Sequence, residues 1–166
     1  IDENKSCIVC APTSSGKTVC STYVCQRAQR VLFVVPSEPL VWQVAAMFQN
    51  LLGGGVGLVT HRFQYRPARE ASRVIVGTPF ALESALSETV GSVWGTSAFD
   101  YAIIDGNFTF DYAVYDEVHD LNGREGSALQ RLIRLVNCRF LALSATIGNP
   151  QQLRAWWSSF HGVDDE

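Results

Sequence analysis

The sequence predicts an α/β fold, a three-layer sandwich built on a mainly parallel sheet. Two observations point to it. Short β-branched apolar runs alternate with longer stretches whose apolar residues recur at helical spacing. The composition, 47% hydrophobic and 17% charged over 166 residues, suits one domain with a core covered on both faces.

Ser6 to Cys10 has the pattern of a buried strand, and Lys17 to Arg30 that of the helix after it. Val31 to Val35 is a second strand, closed by Pro36. Leu40 to Leu52 is amphipathic and stops at Gly53-Gly54-Gly55. Val56 to Thr60 and Arg73 to Val76 are further strands, separated by a basic loop with His61, Arg62, Arg66 and Arg69. Phe80 to Leu86 is a short helix, and residues 87–100, rich in Ser, Gly and Thr, have the composition of a loop. Phe99 to Asp105 is echoed by Phe110 to Asp116, and the Gly106-Asn107 between them suggests a hairpin with the first copy as an edge strand or surface excursion. Ser127 to Val136 is helical, Phe140 to Leu143 a strand, and Gln151 to Phe160 a last helix.

The net charge of −3 argues against gripping nucleic acid by bulk electrostatics, so any such contact must be local. No apolar run approaches the roughly 20 residues that span a bilayer, and no signal-peptide layout opens the chain. The start at Ile1 without methionine suggests a piece of a longer protein, and a monomer is expected. Five cysteines without a secretory signal fit a reducing compartment, cytoplasm or nucleus. Cys7 and Cys10 are spaced C-x-x-C, but three residues apart on a strand they face opposite sides, which favours packed thiols over zinc.

Ala11-Pro12-Thr13-Ser14-Ser15-Gly16-Lys17-Thr18 follows a strand and opens a helix. That context makes it a phosphate cradle. Small residues from Pro12 to Gly16 let the backbone fold round a phosphate, and the helix N-terminus aims its amides at the anion. Lys17 would reach the β- and γ-phosphates of ATP, and the Thr18 hydroxyl would hold Mg²⁺. A capped strand-to-helix turn is the plainer alternative.

Asp116-Glu117 ends the apolar run Tyr112 to Tyr115. Adjacent carboxylates repel unless a cation lies near, which makes Asp116 and Glu117, with Thr18, the candidate Mg²⁺ ligands. Glu117 is also the candidate general base, polarising the attacking water. Lys17, Asp116 and Glu117 are therefore the candidate catalytic residues of a P-loop NTPase.

With Asp116-Glu117-Val118-His119, a DExH box, and Ser144-Ala145-Thr146 after the next strand, the chain resembles superfamily-two helicases. Leu141 to Pro150 and Asp116 to Asn122, followed by Glu125-Gly126, are similar to the superkiller-type RNA helicases. Ala11 to Thr18 and Gln43 to Ala46 resemble their interferon-inducible antiviral DExD/H-box branch. The resemblance covers nearly the whole chain and implies a RecA-like first domain over 1–166. The same resemblance implies a second RecA-like domain, with its arginines and much of the RNA grip, that these residues would lack, so this chain alone should be nearly inactive.

The resemblance further implies that His119, Ser144 and Thr146 couple nucleotide state to strand binding. Pro36 to Gln43 stands at motif Ia, and Gly77-Thr78-Pro79 at motif Ib; both would touch the sugar-phosphate backbone without reading sequence. Two departures weaken that path: Glu38 where a basic or small polar residue is usual, and Phe80 where Glu is usual. Arg62, Arg66, Arg69 and Arg73 are candidates to supplement it, or a solvated loop. An ATP-dependent RNA helicase leads. A partner-recruiting scaffold with a decayed ATPase and a DNA-acting relative are the alternatives.

Overall fold

The structure, a computed structural model, describes residues 5–12, 16–65, 72–91, 103–104, 107–108, 110–117, 123–145, 151, 155 and 157–159. Nine strands and four helices are assigned among them: β1 (Cys7–Cys10), α1 (Lys17–Arg27), β2 (Val31–Val34), α2 (Glu38–Leu52), β3 (Val56–Val59), β4 (Gln64–Tyr65), β5 (Val74–Gly77), α3 (Pro79–Gly91), β6 (Ile103–Ile104), β7 (Asn107–Phe108), β8 (Tyr112–Tyr115), α4 (Gly123–Leu135) and β9 (Arg139–Ser144). Seven strands form one sheet in the order β1-β9-β8-β2-β5-β3-β4, parallel throughout except for β4.

The alternation of side chains along a strand divides the core in two. Leu32 and Val34 of β2, Ala113 and Tyr115 of β8, and Phe140 and Ala142 of β9 pack with Leu82 and Leu86 of α3 and Leu132 and Ile133 of α4. Val31 and Phe33, Tyr112 and Val114, and Leu141 and Leu143 pack on the other face with Val24 and Cys25 of α1 and Val41 and Phe48 of α2. Central strands buried on both faces explain why β2, β5 and β8 read as unbroken apolar runs. This is the predicted three-layer α/β sandwich.

Several element bounds differ from the sequence expectation, each for a local reason. Helix α1 stops at Arg27 because Ala28 turns extended (φ −75°, ψ 148°), and the next two amides, Gln29 and Arg30, donate to the Asp111 carboxylate at 3.0 and 2.8 Å. Helix α3 runs past Leu86 to Gly91. The basic loop contains β4, antiparallel to β3 through Leu58–Tyr65 and Val59–Gln64. Among the described residues the two echoed segments do not pair with each other. Ile103 and Ile104 pair with Phe108 and Asn107, while Tyr112 to Tyr115 enter the main sheet between β2 and β9. Of the expected last helix, residues 151, 155 and 157–159 are described, and all are helical.

Candidate functional site

Register places the chemistry on one edge. Cys10 of β1 lies beside Ser144, Tyr115 beside Ala142 and Val34, and Val34 beside Gly77. The segments that leave these strands, 11–18, 36–38, 77–79, 116–117 and 144–145, therefore all start at the carboxyl edge, where open α/β sheets bind ligands.

Gly16 opens α1 with φ +81°, a left-handed conformation that an L side chain rarely adopts. Among the described residues no side chain caps the start of α1, and its first turn has no acidic group. No acidic side chain of the first turn therefore opposes the positive end of the helix dipole. The Thr18 side chain is exposed, and its carbonyl accepts from Ser21 Oγ at 2.7 Å and Thr22 Oγ1 at 2.9 Å. The Ala11 amide donates to Ser144 O at 3.1 Å, fastening the cradle to β9. Pro12 is exposed; Thr13, Ser14 and Ser15 lie outside the described residues.

The Lys17 ammonium stem is only 6% exposed, and Nζ lies 3.5 Å from Glu117 Oε1. An ammonium so far from water needs an anion, and here the anion comes from just beyond the end of β8, one hundred residues along the chain. Asp116 is fixed by its amide donating to Val34 O at 2.9 Å, and its Oδ1 accepts the Glu117 amide at 3.0 Å. Glu117 has φ +53°, the one non-glycine residue with positive φ among those described. Such a conformation costs of order 1–3 kcal/mol and persists where neighbours over-determine it. Ser144 is buried and its Oγ donates to Ala145 O at 2.9 Å. His119 and Thr146 lie outside the described residues.

At the motif Ia position, Ser37 precedes α2 and Glu38 begins it. The Glu38 carboxylate does not project alone; it accepts the His61 amide at 3.0 Å. Pro36 is half-buried and Gln43 exposed. At the motif Ib position, Gly77 is a packing glycine, since a Cβ would meet Leu82 Cγ and Val59 O, each at 2.7 Å. Thr78 is buried and caps α3, accepting the Ala81 amide at 3.5 Å; Pro79 is buried in the first turn. The next amide, that of Phe80, donates to Glu125 Oε2 at 3.0 Å. Arg124 lies over the Phe80 ring at 3.6 Å and His61 against it at 5.7 Å.

The DEAD/DEAH box helicase family matches residues 1–153. The chain belongs to that family. An uncharacterized helicase of Caenorhabditis elegans is 31% identical over 96% of this chain and 10% of its own length. A human protein described as a probable ATP-dependent RNA helicase, DDX60-like, is 31% identical over 96% of this chain and 9% of its own. The chain thus spans about a tenth of the length of these relatives. The fold matches a hypothetical ATP-dependent RNA helicase from Sulfolobus tokodaii, with a TM-score of 0.67 at 22% identity, over 99% of this chain and 48% of that one.

In this helicase domain the structure brings Lys17 and Glu117 together and sets Asp116, Thr18 and Ser144 on the same edge. It shows Gly77, Thr78 and Pro79 packed or capping rather than projecting. Arg73 leaves the basic loop altogether, donating to the carbonyls of Gln26 and Ala28 at the end of α1. Arg62 is exposed, and Arg66 and Arg69 lie outside the described residues. Sequence reasoning missed Glu125 as a cap for α3, and the exposed aromatic residues Trp42 and Phe63. A tryptophan on the polar side of α2 was the available signal.

Proposed function

We propose that residues 1–166 are the first RecA-like domain of an ATP-dependent RNA helicase of the superkiller-type DExH group, within its interferon-inducible antiviral branch. The observation that carries the nucleotide half is the Lys17–Glu117 pair, in which the cradle and the acidic motif meet at 3.5 Å. Lys17 would move its ammonium from Glu117 to the β- and γ-phosphates, and the uncapped start of α1 would hold a phosphate by its amides. Released from Lys17, the Glu117 carboxylate would accept a proton from the attacking water. Thr18 and Asp116, with Glu117 near, form a hard oxygen donor set for Mg²⁺, which would neutralise the phosphate oxygens when bound.

The RNA half rests on less. The human relative's description names RNA, and the Ala11–Ser144 hydrogen bond offers a route by which His119, Ser144 and Thr146 would sense the cradle. The arginines opposite the γ-phosphate would come from a second RecA-like domain, so this chain alone should bind nucleotide and hydrolyse it slowly. One observation favours the scaffold reading: Glu38 and Glu125 already hold amides on the motif Ia and Ib side.

ATPase assays on the full-length protein with single-stranded RNA, single-stranded DNA or neither separate the readings. RNA stimulation is expected. Stimulation by DNA alone identifies a DNA motor, and none by either, with ATP still bound, identifies a scaffold. Lys17→Ala should abolish Mg-nucleotide binding, and binding that survives it unaltered would overturn the cradle assignment.

A further inference from the structure

We propose that Trp42 and Phe63 form a stacking step for the bases of the single strand, a contact independent of phosphate. It rests on the reading of this edge as a nucleic-acid path. The two rings face each other with centroids 5.7 Å apart and planes 27° apart, yet Trp42 is 49% and Phe63 48% exposed. Their outer faces are open to a planar ligand, and aromatic rings favour such stacked contacts.

Their position follows from the backbone. Trp42 stands one turn beyond Glu38 on α2, so the two share a helix face. Glu38 holds the His61 amide, and Phe63 follows two residues later in a turn closed on itself. The Phe63 carbonyl accepts the Thr60 amide at 2.8 Å, and its own amide donates to Thr60 Oγ1 at 3.1 Å. That turn leaves β3 at the carboxyl edge and reaches α3 as well, through the His61–Phe80 ring contact. The turn that carries Phe63 therefore touches the starts of both α2 and α3 through His61. Arg62, exposed, lies in the same turn, and Tyr65, 49% exposed, falls on the same side of the chain as Phe63 by strand alternation.

Charge says why a strand needs such a step here. The chain carries a net −3, and carboxylates already take an amide in the β3–β4 turn and one at the start of α3. A base contact adds grip that does not depend on charge, since every base has a π-face that an aromatic ring can hold. Two rings are also too small a patch for a stable protein partner, which needs about 800 Å² per side, but they match one or two bases.

The test uses the full-length protein and two fluorescent probes of equal length, an oligouridylate and an abasic oligonucleotide, read by anisotropy at one salt concentration. Wild type should bind the oligouridylate more tightly. Trp42→Ala should weaken oligouridylate binding about tenfold and leave abasic binding unchanged, while Trp42→Phe retains most of the affinity. Arg62→Ala should weaken both probes alike. Circular dichroism checks that each variant is folded. Equal losses on both probes from Trp42→Ala, or no loss on either, overturn the stacking step. Failure of wild type to bind either probe overturns the nucleic-acid path itself.

Discussion

Lys17 and Glu117 face each other at 3.5 Å, and the buried lysine depends on the pair more than the glutamate does. The lysine is almost fully buried, so removing its anion leaves a charge with little water. Glu117 is 23% exposed, which screens the pair and moderates the loss. Glu117→Gln should lower unfolding free energy by about 1–2 kcal/mol in urea titration and stop hydrolysis in the full-length protein, with nucleotide still bound. A second residue-scale effect concerns Cys25, fully buried on the inner face of α1. Burial pushes its thiol from 9.0 up to about 12, with Arg73 opposing. The folded value lies above the unfolded one, so the fold favours the neutral thiol. That stabilisation is whole below about pH 9 and is lost as pH rises towards about 12. Iodoacetamide at pH 8 should therefore label exposed Cys10 and spare Cys25 in native protein, as peptide mass analysis would show.

Among the elements, α3 shows how tightly the carboxyl edge is built. It starts at a glycine that packs, a threonine that caps and a proline that needs no hydrogen bond. Gly77→Ala would push a methyl group into Val59 O and Leu82, and the former belongs to the sheet backbone. The change should reduce stability by about 2 kcal/mol, measured by thermal or urea unfolding, without removing any proposed ligand of ATP. The carboxylate missing at position 80 reaches the same helix start from α4 instead, through Glu125. That substitution was not legible, because a side chain's partner across 45 residues leaves no local pattern. The strands of the main sheet were legible where burial on both faces made them continuous apolar runs. Their neighbours were not: Tyr112 to Tyr115 echoes an earlier run, yet pairs with β2 and β9, since periodicity reports burial and not adjacency. The strand ahead of the 11–18 turn, the helix opening at Lys17 and the strand ending before Asp116 were legible because those patterns are local. The contacts that join α2 to α3 were not, because Glu38, His61 and Phe80 meet only when β3 and β5 lie side by side.

Across the whole molecule, the last described segment is tied to the strands that carry the acidic motif. Trp157 is 1% exposed, stacks on Phe140 with centroids 4.6 Å apart, and meets the edge of Tyr115 at 5.2 Å. Phe140 lies at the beginning of β9 and Tyr115 at the end of β8, directly before Asp116. Tyr115 is itself fully enclosed, and burial holds its phenol well above 10. Removing the indole would open a cavity on the α3–α4 face, away from α1 and the Lys17 stem. Trp157→Ala should therefore reduce unfolding free energy by about 3–5 kcal/mol, a large share of the roughly 5–15 kcal/mol typical of a domain. Nucleotide affinity should fall much less, because the Asp116 amide remains fixed by Val34 of β2 and Ala11 by Ser144. Urea unfolding with and without Mg-ATP distinguishes the two effects. Both curves should shift together, with the increment from ligand nearly constant, since that increment depends on affinity alone. An increment that vanishes in the variant would show instead that the aromatic cluster positions the nucleotide edge.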